Sequence, residues 1–539
     1  MARFHRTQRR GRLSGLLAAG LCLAGAVLSV QAQTLHRGNG AEPETLDPHR
    51  ATSVASSHIL RDLFEGLITL DRAGRPVPGV AHSWTVSEDG LRWDFALRET
   101  ARWSNGDPVT AEDFVAGLRR SIAPATGSYY AQMLEIIAGA EAILAGTAAP
   151  ETLGVSALAR HRLRIELATP APYLPGLLSH PASFPIHRPS LAEHGKAFDR
   201  PGRLVSNGAY RLADRVLQSY VTLERNPHFH AADAVAIERV VYHSTEDIDA
   251  ELARFRAGEI DWTADVPVTR MPWVRAHLAD AFHAHPYLGI YYYGYNLTRP
   301  PFAGSPELRK ALAMVIDRRR ITERILGTGE QPAYGFVPPG IPDYNGQRPE
   351  WADWSMQQRR ETARALYRAA GYSEDAPLEL ELRYNTQENH RKIAIAIAWM
   401  WKEALGVRTR LINEEFKVFL TTRRLKQDTQ VFRAGWIGDY NDAFTFAEIL
   451  HSKHGLNDTG YASARYDRRL EQAAAEPEAA QRRVYLEAAE AQMLSDMPVL
   501  PIYFYTSRRL VKPHVRGWEG NIMDVHLTRY MQLQEARAP

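Results

Sequence analysis

The single cysteine of the 539-residue chain, Cys22, lies in an apolar run from Leu13 to Val30 that follows five arginines, Arg3, Arg6, Arg9, Arg10 and Arg12. The run closes on Val30-Gln31-Ala32, with small or apolar residues at the positions a signal peptidase reads, so residues 1–32 are predicted to be a secretory signal cleaved after Ala32. A membrane anchor is the competing reading; Gly15, Gly20 and Gly25 inside the run and the cleavage triplet argue against it. Lipid attachment at Cys22 would need a small residue just before it, where the chain has Leu21. The remaining 507 residues hold no cysteine. An exported chain of that length without disulfides must be held by burial alone, which its size permits.

The leader also distorts the charge. The whole chain is formally +3, but without the leader's five arginines 60 basic residues face 62 acidic ones. No basic excess remains to point to nucleic acid as a partner. A composition of 45% hydrophobic and 24% charged residues matches an ordinary globular protein, and the length suggests two to four domains or one body with lobes. Beyond the leader no apolar stretch reaches transmembrane length.

Short alternating segments, Leu91–Leu97 and Leu163–Leu167, read as strands. Helices are predicted from Ser305, with Pro306 in first position and Leu308, Leu312, Val315, Ile316 and Ile325 on one face; over His390–Leu405, with Ile393, Ile397, Trp401 and Leu405 recurring; and over Tyr466–Leu494, interrupted at Pro477. Thr110 is a candidate N-cap after the turn Ser104–Pro108. The fold class is α/β or α+β. There is no repeat, low-complexity tract or Gly/Ser- or Pro-rich linker, so lobes should be joined by crossing strands rather than by a tether.

The chain lacks a P-loop, a dinucleotide-binding glycine motif, H-E-x-x-H and G-x-S-x-G, and without cysteine after the leader thiol catalysis and thiolate metal sites are excluded. The pairs His228/His230, His283/His285 and His451/His454 carry ligand-like spacing, but no carboxylate cluster accompanies them; the expectation is no catalytic residue, no metal and no cofactor. Two aromatic segments stand out, Tyr291–Asn296 and Arg433–Asp442. In the second, a strand ends in Gly438-Asp439, and Asp439 is either a turn former or the anchor of an aromatic-walled pocket. Such a pocket, with Arg423, Arg424 and Arg433 nearby, would suit a zwitterion.

A run of strings in fixed order resembles the periplasmic oligopeptide-binding proteins, solute receptors of ABC peptide importers within the bacterial extracellular solute-binding proteins of family 5. They are Glu44-Thr45-Leu46-Asp47-Pro48-His49-Arg50, Arg61–Leu67, Pro78–Trp84, Trp103–Phe114, Asn207–Tyr210, Leu223–Pro227 and Gly435-Trp436-Ile437-Gly438-Asp439-Tyr440-Asn441. The likeness implies a periplasmic-binding-protein clamshell with mixed sheets flanked by helices. Three lobes are expected: 33–66 with 188–290 and 506–539, the inserted 67–187, and the ligand-closing 291–505.

It also implies site residues. Asp439 takes the position that pairs with a peptide ammonium. Gly435, Trp436 and Ile437 match a strand that hydrogen-bonds an extended peptide, and Ala51–Val54, with Thr52 and Val54, matches a strand on its other side. Arg433, Arg423 and His390, with Asn385, resemble the cations that capture the peptide carboxylate, and Tyr130 a pocket aromatic. Two departures stand out: Thr52 occupies a place where the family often has an acid, and an apparent extra residue before Arg433 leaves Arg424 able to take the role given to Arg423.

The expectation is a monomeric, periplasmic, non-catalytic receptor of short peptides that delivers them to a membrane permease. The alternatives are the same architecture holding glutathione, a murein peptide, a metal chelate or haem, and a secreted peptide hydrolase.

Overall fold

The structure, a computed structural model, describes residues 33–534. The leader, Cys22, the cleavage site after Ala32 and the last five residues lie outside the described residues. No helix among those described is long and apolar enough to cross a membrane.

The chain opens with strand β1 (Thr34–Gly38) and helix α1 (Val54–Leu63). It then builds an antiparallel sheet from β2 (Ala81–Val86), β3 (Arg92–Leu97), β4 (Val155–Ala159) and β5 (Arg162–Glu166), in the order β2-β3-β5-β4. Helix α2 (Ala111–Ile122) enters from the expected cap: the Asp113 carboxylate accepts from the Thr110 N–H at 2.9 Å and its hydroxyl at 3.0 Å. Strands β6 (Tyr210–Val216), β7 (Tyr220–Arg225) and β8 (Arg239–His243) return to β1, which pairs with β8 in parallel, giving the order β1-β8-β7-β6. One continuous apolar core underlies both four-stranded sheets.

The rest of the chain forms a six-stranded sheet. Its strands are β9 (Phe282–Tyr295), β10 (Gln331–Pro332), β11 (Glu379–Asn385), β12 (Arg408–Glu414), β13 (Val431–Ile437) and β14 (Val499–Leu510), in the order β10-β14-β9-β13-β11-β12. Its helices include α3 (Pro306–Met314), α4 (Glu388–Leu405), α5 (Phe416–Leu425), α6 (Ala464–Ala475) and α7 (Ala479–Asp496), with a further helix over Met356–Ala369. The period of two along β9 sends Tyr291, Tyr293 and Tyr295 into a core with α3 and α4, and Leu288, Ile290 and Tyr292 into a second core with α6 and α7. In α4, Ile393, Ile397, Trp401 and Leu405 are buried as their spacing predicts, and Trp401 donates its indole N–H to the Leu312 carbonyl at 3.0 Å. Pro477 does divide α6 from α7, and the Glu478 carboxylate caps α7 through the N–H groups of Ala480 and Gln481. Helix α3 is shorter than its pattern suggests; it stops at Met314, and Arg320–Leu326 form a separate π-helical segment.

β9 and β14 run antiparallel, pairing at Phe282–Pro286 with Thr506–Leu510 and again at Ile290–Gly294 with Val499–Phe504, with a register break between. At the break Leu288 leaves the pair: its N–H donates to Ile522 and its carbonyl accepts from Gly438, both at 2.8 Å. A smaller core beside the first half of β9 includes Leu252, Phe255, Val274 and Leu510.

Beside that core Glu251 is fully buried, accepting from the Ala264 N–H at 3.0 Å while its second oxygen lacks a partner. Burial pushes its carboxyl up to about 7, against the pull of the backbone N–H groups of Ala264, Asp265 and Gly40. Because the folded-state value lies above the unfolded one, the stabilisation is present below about pH 4.5 and is lost as pH rises through about 7. The wild type is therefore expected to lose up to about 3 kcal/mol between pH 4.5 and 8 from this group alone, and Glu251→Gln to show a shallower decline in chemical denaturation at pH 5, 6.5 and 8; parallel profiles would remove Glu251 as the cause.

Candidate ligand-binding site

The site is built on β13. Along its whole length β13 pairs with β9, from Tyr295↔Val431 to Gly289↔Ile437, but on its other edge β11 meets it only at Val431 and Phe432. From Arg433 onward that edge has no strand partner among the described residues. Buried or half-buried backbone with unmade hydrogen bonds is costly, and an open strand edge is the standard place for an extended peptide to add. Gly435 keeps this stretch narrow: a Cβ there would lie 2.8 Å from the Tyr505 hydroxyl. Trp436 turns its indole N–H to the Thr445 hydroxyl at 3.3 Å, and Ile437 is exposed.

Arg433 lies at one end of the open edge. Its guanidinium lies 4.7 Å over the Tyr291 ring and donates to the Tyr505 hydroxyl at 3.0 Å, with no carboxylate in ion-pairing distance among the described residues. Burial disfavours its charge, but the hydroxyls of Tyr505, Tyr291 and Tyr503 outweigh it and raise the pKa. His390 sits in the first turn of α4, its Nδ1 3.2 Å from the Tyr291 hydroxyl. Expected as a cation, it is neutral in this setting: burial, then Arg433, push it down to about 3. Gln387 provides the α4 cap, accepting from the His390 N–H at 3.0 Å, so neither His390 nor Asn385 is used by its side chain as a cap. Asn385, the last residue of β11, is buried with its Oδ1 unpartnered.

Asp439 lies just beyond the other end. It is half-buried, and no hydrogen bond or ion pair is recorded for its carboxylate among the described residues; burial alone pushes it up to about 6. Next to it the Tyr440 hydroxyl donates to Glu448 at 3.1 Å, and Glu448 is pushed up to about 8 by burial and then by the fields of Asp439 and Asp442. Asp442 is held by Arg482 through two bonds of 2.7 and 2.8 Å. Tyr173, which follows β5 in the chain, stacks on Tyr440 at 4.8 Å and on Phe444 at 5.2 Å. Tyr130, from the same part of the chain, has its hydroxyl pKa raised by burial and then by Asp439 and Glu44, which places it in the electrostatic reach of both carboxylates.

Around Thr52 and Val54 the structure differs from expectation. The segment is not a strand: Ser53 is the N-cap of α1, its hydroxyl accepting from the Ser56 N–H, and Val54, 58% exposed, is the first helical residue. The Glu44 carboxylate accepts from the N–H of Thr52 and Ser53, at 2.5 and 2.8 Å, and from the hydroxyls of Ser53 and Ser56. Burial acts against these bonds, but they win and hold Glu44 at about 2. Glu44, eight residues before Thr52, thus covers the amides of this segment.

Arg423, on α5, is taken by Asp458 at 2.5 Å and lies over Phe419 and Phe432, while Arg424 is exposed. The structure therefore gathers Arg433, His390, Asn385, Gly435, Trp436, Ile437 and Asp439 along one edge and brings Tyr130 into reach of Asp439; Arg423 is engaged elsewhere. Glu44, Glu448, Tyr173 and Tyr505 escaped the sequence reading. The alternation Ile502-Tyr503-Phe504-Tyr505 is a local signal for the last; Glu44 and Glu448 reach residues eight or more positions away across irregular segments that carry no periodic signal, and Tyr173 meets Tyr440 and Phe444 far along the chain. Of the histidine pairs, His230 bonds Glu65 at 2.7 Å and His283 and His285 meet Trp518 edge-on. Among the described residues no group of three His, Asp or Glu is arranged to hold a metal.

Residues 75–458 match the family model for the bacterial extracellular solute-binding proteins, family 5 middle region. The chain is 39% identical over 532 residues to the periplasmic oligopeptide-binding protein OppA of Escherichia coli K12, covering 97% of each. It superposes on the unliganded open form of the murein tripeptide-binding protein MppA with a TM-score of 0.84, at 38% identity over 93% of this chain and 98% of that one. Against OppA of Haemophilus influenzae in complex with the peptide RPPGFSPFR the TM-score is 0.77, at 35% identity over 93% and 99%. The α/β clamshell architecture, the ordered motifs and this near full-length likeness agree: the chain belongs to family 5 of the bacterial extracellular solute-binding proteins.

Proposed function

We propose that the protein is a receptor for short peptides with free ends, which lie extended along the open edge of β13 and are passed on to the membrane permease of an ABC importer. The observation that carries this reading is Asp439, a carboxylate pushed up to about 6 by burial with no cation beside it, at one end of an unpaired strand edge whose other end holds Arg433. A peptide ammonium on Asp439 and a carboxylate on Arg433, with His390 and Asn385 adding donors, satisfy both; backbone bonds to Gly435–Ile437 supply affinity that ignores side chains. Four strand steps from Arg433 to Ile437 and the two residues that follow span at most roughly 20 Å. With side chains reaching inward from both ends, peptides of about two to five residues fit that span.

The same reading makes the protein a monomer working outside the cytoplasm after its leader is cleaved, with 291–505 closing over the ligand, and a binder that leaves its peptide intact. Mass spectrometry after incubation with trialanine is expected to return the unchanged tripeptide. A murein peptide is the second ligand to try, because the unliganded murein tripeptide-binding protein superposes so well; its free ammonium and carboxylate ends suit the same two anchors.

Removing one partner of a desolvated ion pair costs about 3–5 kcal/mol. Asp439→Ala is expected to weaken trialanine binding at least about tenfold by calorimetry, since 1.4 kcal/mol already suffices for that; unchanged affinity would sink the assignment. The pairing needs ionised Asp439. A raised carboxyl favours the protonated form below about pH 6, so trialanine affinity should be nearly level between about pH 6.5 and 7 and fall as pH drops towards 5, a range in which the peptide ammonium stays mostly charged. Asp439→Asn should abolish that slope; a wild-type affinity independent of pH from 5 to 7 is the outcome that contradicts it.

A further inference from the structure

Away from β13 the described residues enclose a second pocket, of about 770 Å³, between the π-helical segment Arg320–Leu326 and the stretch 348–359. It shares no lining residue with the Asp439–Arg433 edge. Tyr334, Arg348 and Arg359 line it, and Arg318 and Trp351 lie behind them. The Tyr334 ring has the guanidinium of Arg318 at 4.7 Å, that of Arg359 at 5.0 Å and that of Arg348 at 6.0 Å, and Trp351 is also within 5.8 Å of Arg318 and Arg359.

Two of these guanidiniums are buried without a counter-ion. Arg318 is 1% exposed and Arg359 7%, and neither has a carboxylate within ion-pairing distance among the described residues. Arg318 donates only to the carbonyls of Pro501, Ala313 and Ile316, leaving one Nη without an acceptor. Arg359 donates to the Tyr334 hydroxyl at 2.9 Å and the Ala352 carbonyl at 2.7 Å, leaving Nε without one. Burial pushes Arg318 down to about 10, and Arg359 adds to the effect. Ring faces offset part of such a cost, but carbonyl dipoles and rings do not neutralise two charges.

The acids lining the pocket are largely committed: Asp353 pairs with Arg348, and Asp317 accepts from the Arg320 N–H at 3.0 Å. The lining charges balance, Arg319, Arg348 and Arg359 against Asp317, Glu323 and Asp353, so the feature that favours an anion is local: Arg359 lines the pocket buried and without a carboxylate of its own. The volume is that of a small organic molecule rather than a bare ion. We propose that this pocket is a second ligand site, for an organic anion whose carboxylate or phosphate head meets Arg359 and Arg319 and whose apolar body lies on Tyr334 and Trp354. It goes beyond the peptide reading and does not depend on it.

The test is calorimetric titration of the exported protein with phenyl phosphate, benzoate and the neutral benzamide, with and without saturating trialanine. At least one anion should bind about tenfold or more tightly than benzamide, with trialanine making no difference. Which anion it is decides between a phosphate and a carboxylate head. Arg359→Gln and the exposed-rim Arg319→Gln should each weaken that anion at least about fivefold and leave trialanine binding as it was. If Arg359→Gln fails to fold, Arg319→Gln and the benzamide contrast still decide. Equal binding of all three compounds, displacement by trialanine, or full anion affinity in the folded variants overturns the proposal.

Discussion

The antiparallel pairing of β9 with β14 is the constraint on which the rest depends. β14 runs with the first half of β9 beside the small core around Leu252 and Leu510, and with its second half in the six-stranded sheet. The same strand gives Tyr291 to Arg433 and backs β13 along its whole length. With β9 committed on both sides, the only edge β13 has to offer is the one β11 leaves after Phe432. A slip of one residue in β9 would carry Tyr291 and Tyr293 to the opposite face and dismantle both cores together. The 0% exposure of both rings shows how firmly the register is held.

Charge at the candidate site is arranged by separation. Arg433 and Asp439 stand at opposite ends of one strand segment, each without an opposite charge in contact among the described residues. The two ends are stabilised differently. At the arginine end tyrosine hydroxyls support the cation, and burial keeps the neighbouring His390 neutral so that it adds no repulsion. At the aspartate end nothing comparable supports the anion; burial alone raises Asp439, and burial with the fields of Asp439 and Asp442 raises Glu448.

Local chemistry was read well from the sequence, and distant chemistry was not. The Thr110 cap, the break at Pro477 and the stripe of Ile393, Ile397 and Trp401 each depend on residues within a few positions, and the structure has them where the pattern places them. The segment 51–54 was expected as a strand and is a helix entry, because Ser53 caps α1 and Glu44 reaches across to take the amides of Thr52 and Ser53. Nothing near Thr52 announces that. His390 was counted among the cations since its neutrality comes from burial beside Arg433, 43 positions along the chain. Arg423 could not be separated from Arg424 without Asp458, whose approach is tertiary. The ordered motifs, by contrast, were enough to reach the family before any coordinate.

The half-buried, unpaired state of Asp439 has a thermodynamic corollary. Near pH 6 about half of the empty molecules carry a proton on that carboxyl. A ligand that brings an ammonium there must expel the proton into solvent, so complex formation and proton release are one event. The heat measured for such a ligand near that pH then includes the heat of protonating whatever buffer receives the proton, and buffers of different ionisation enthalpy give different apparent enthalpies for the same complex.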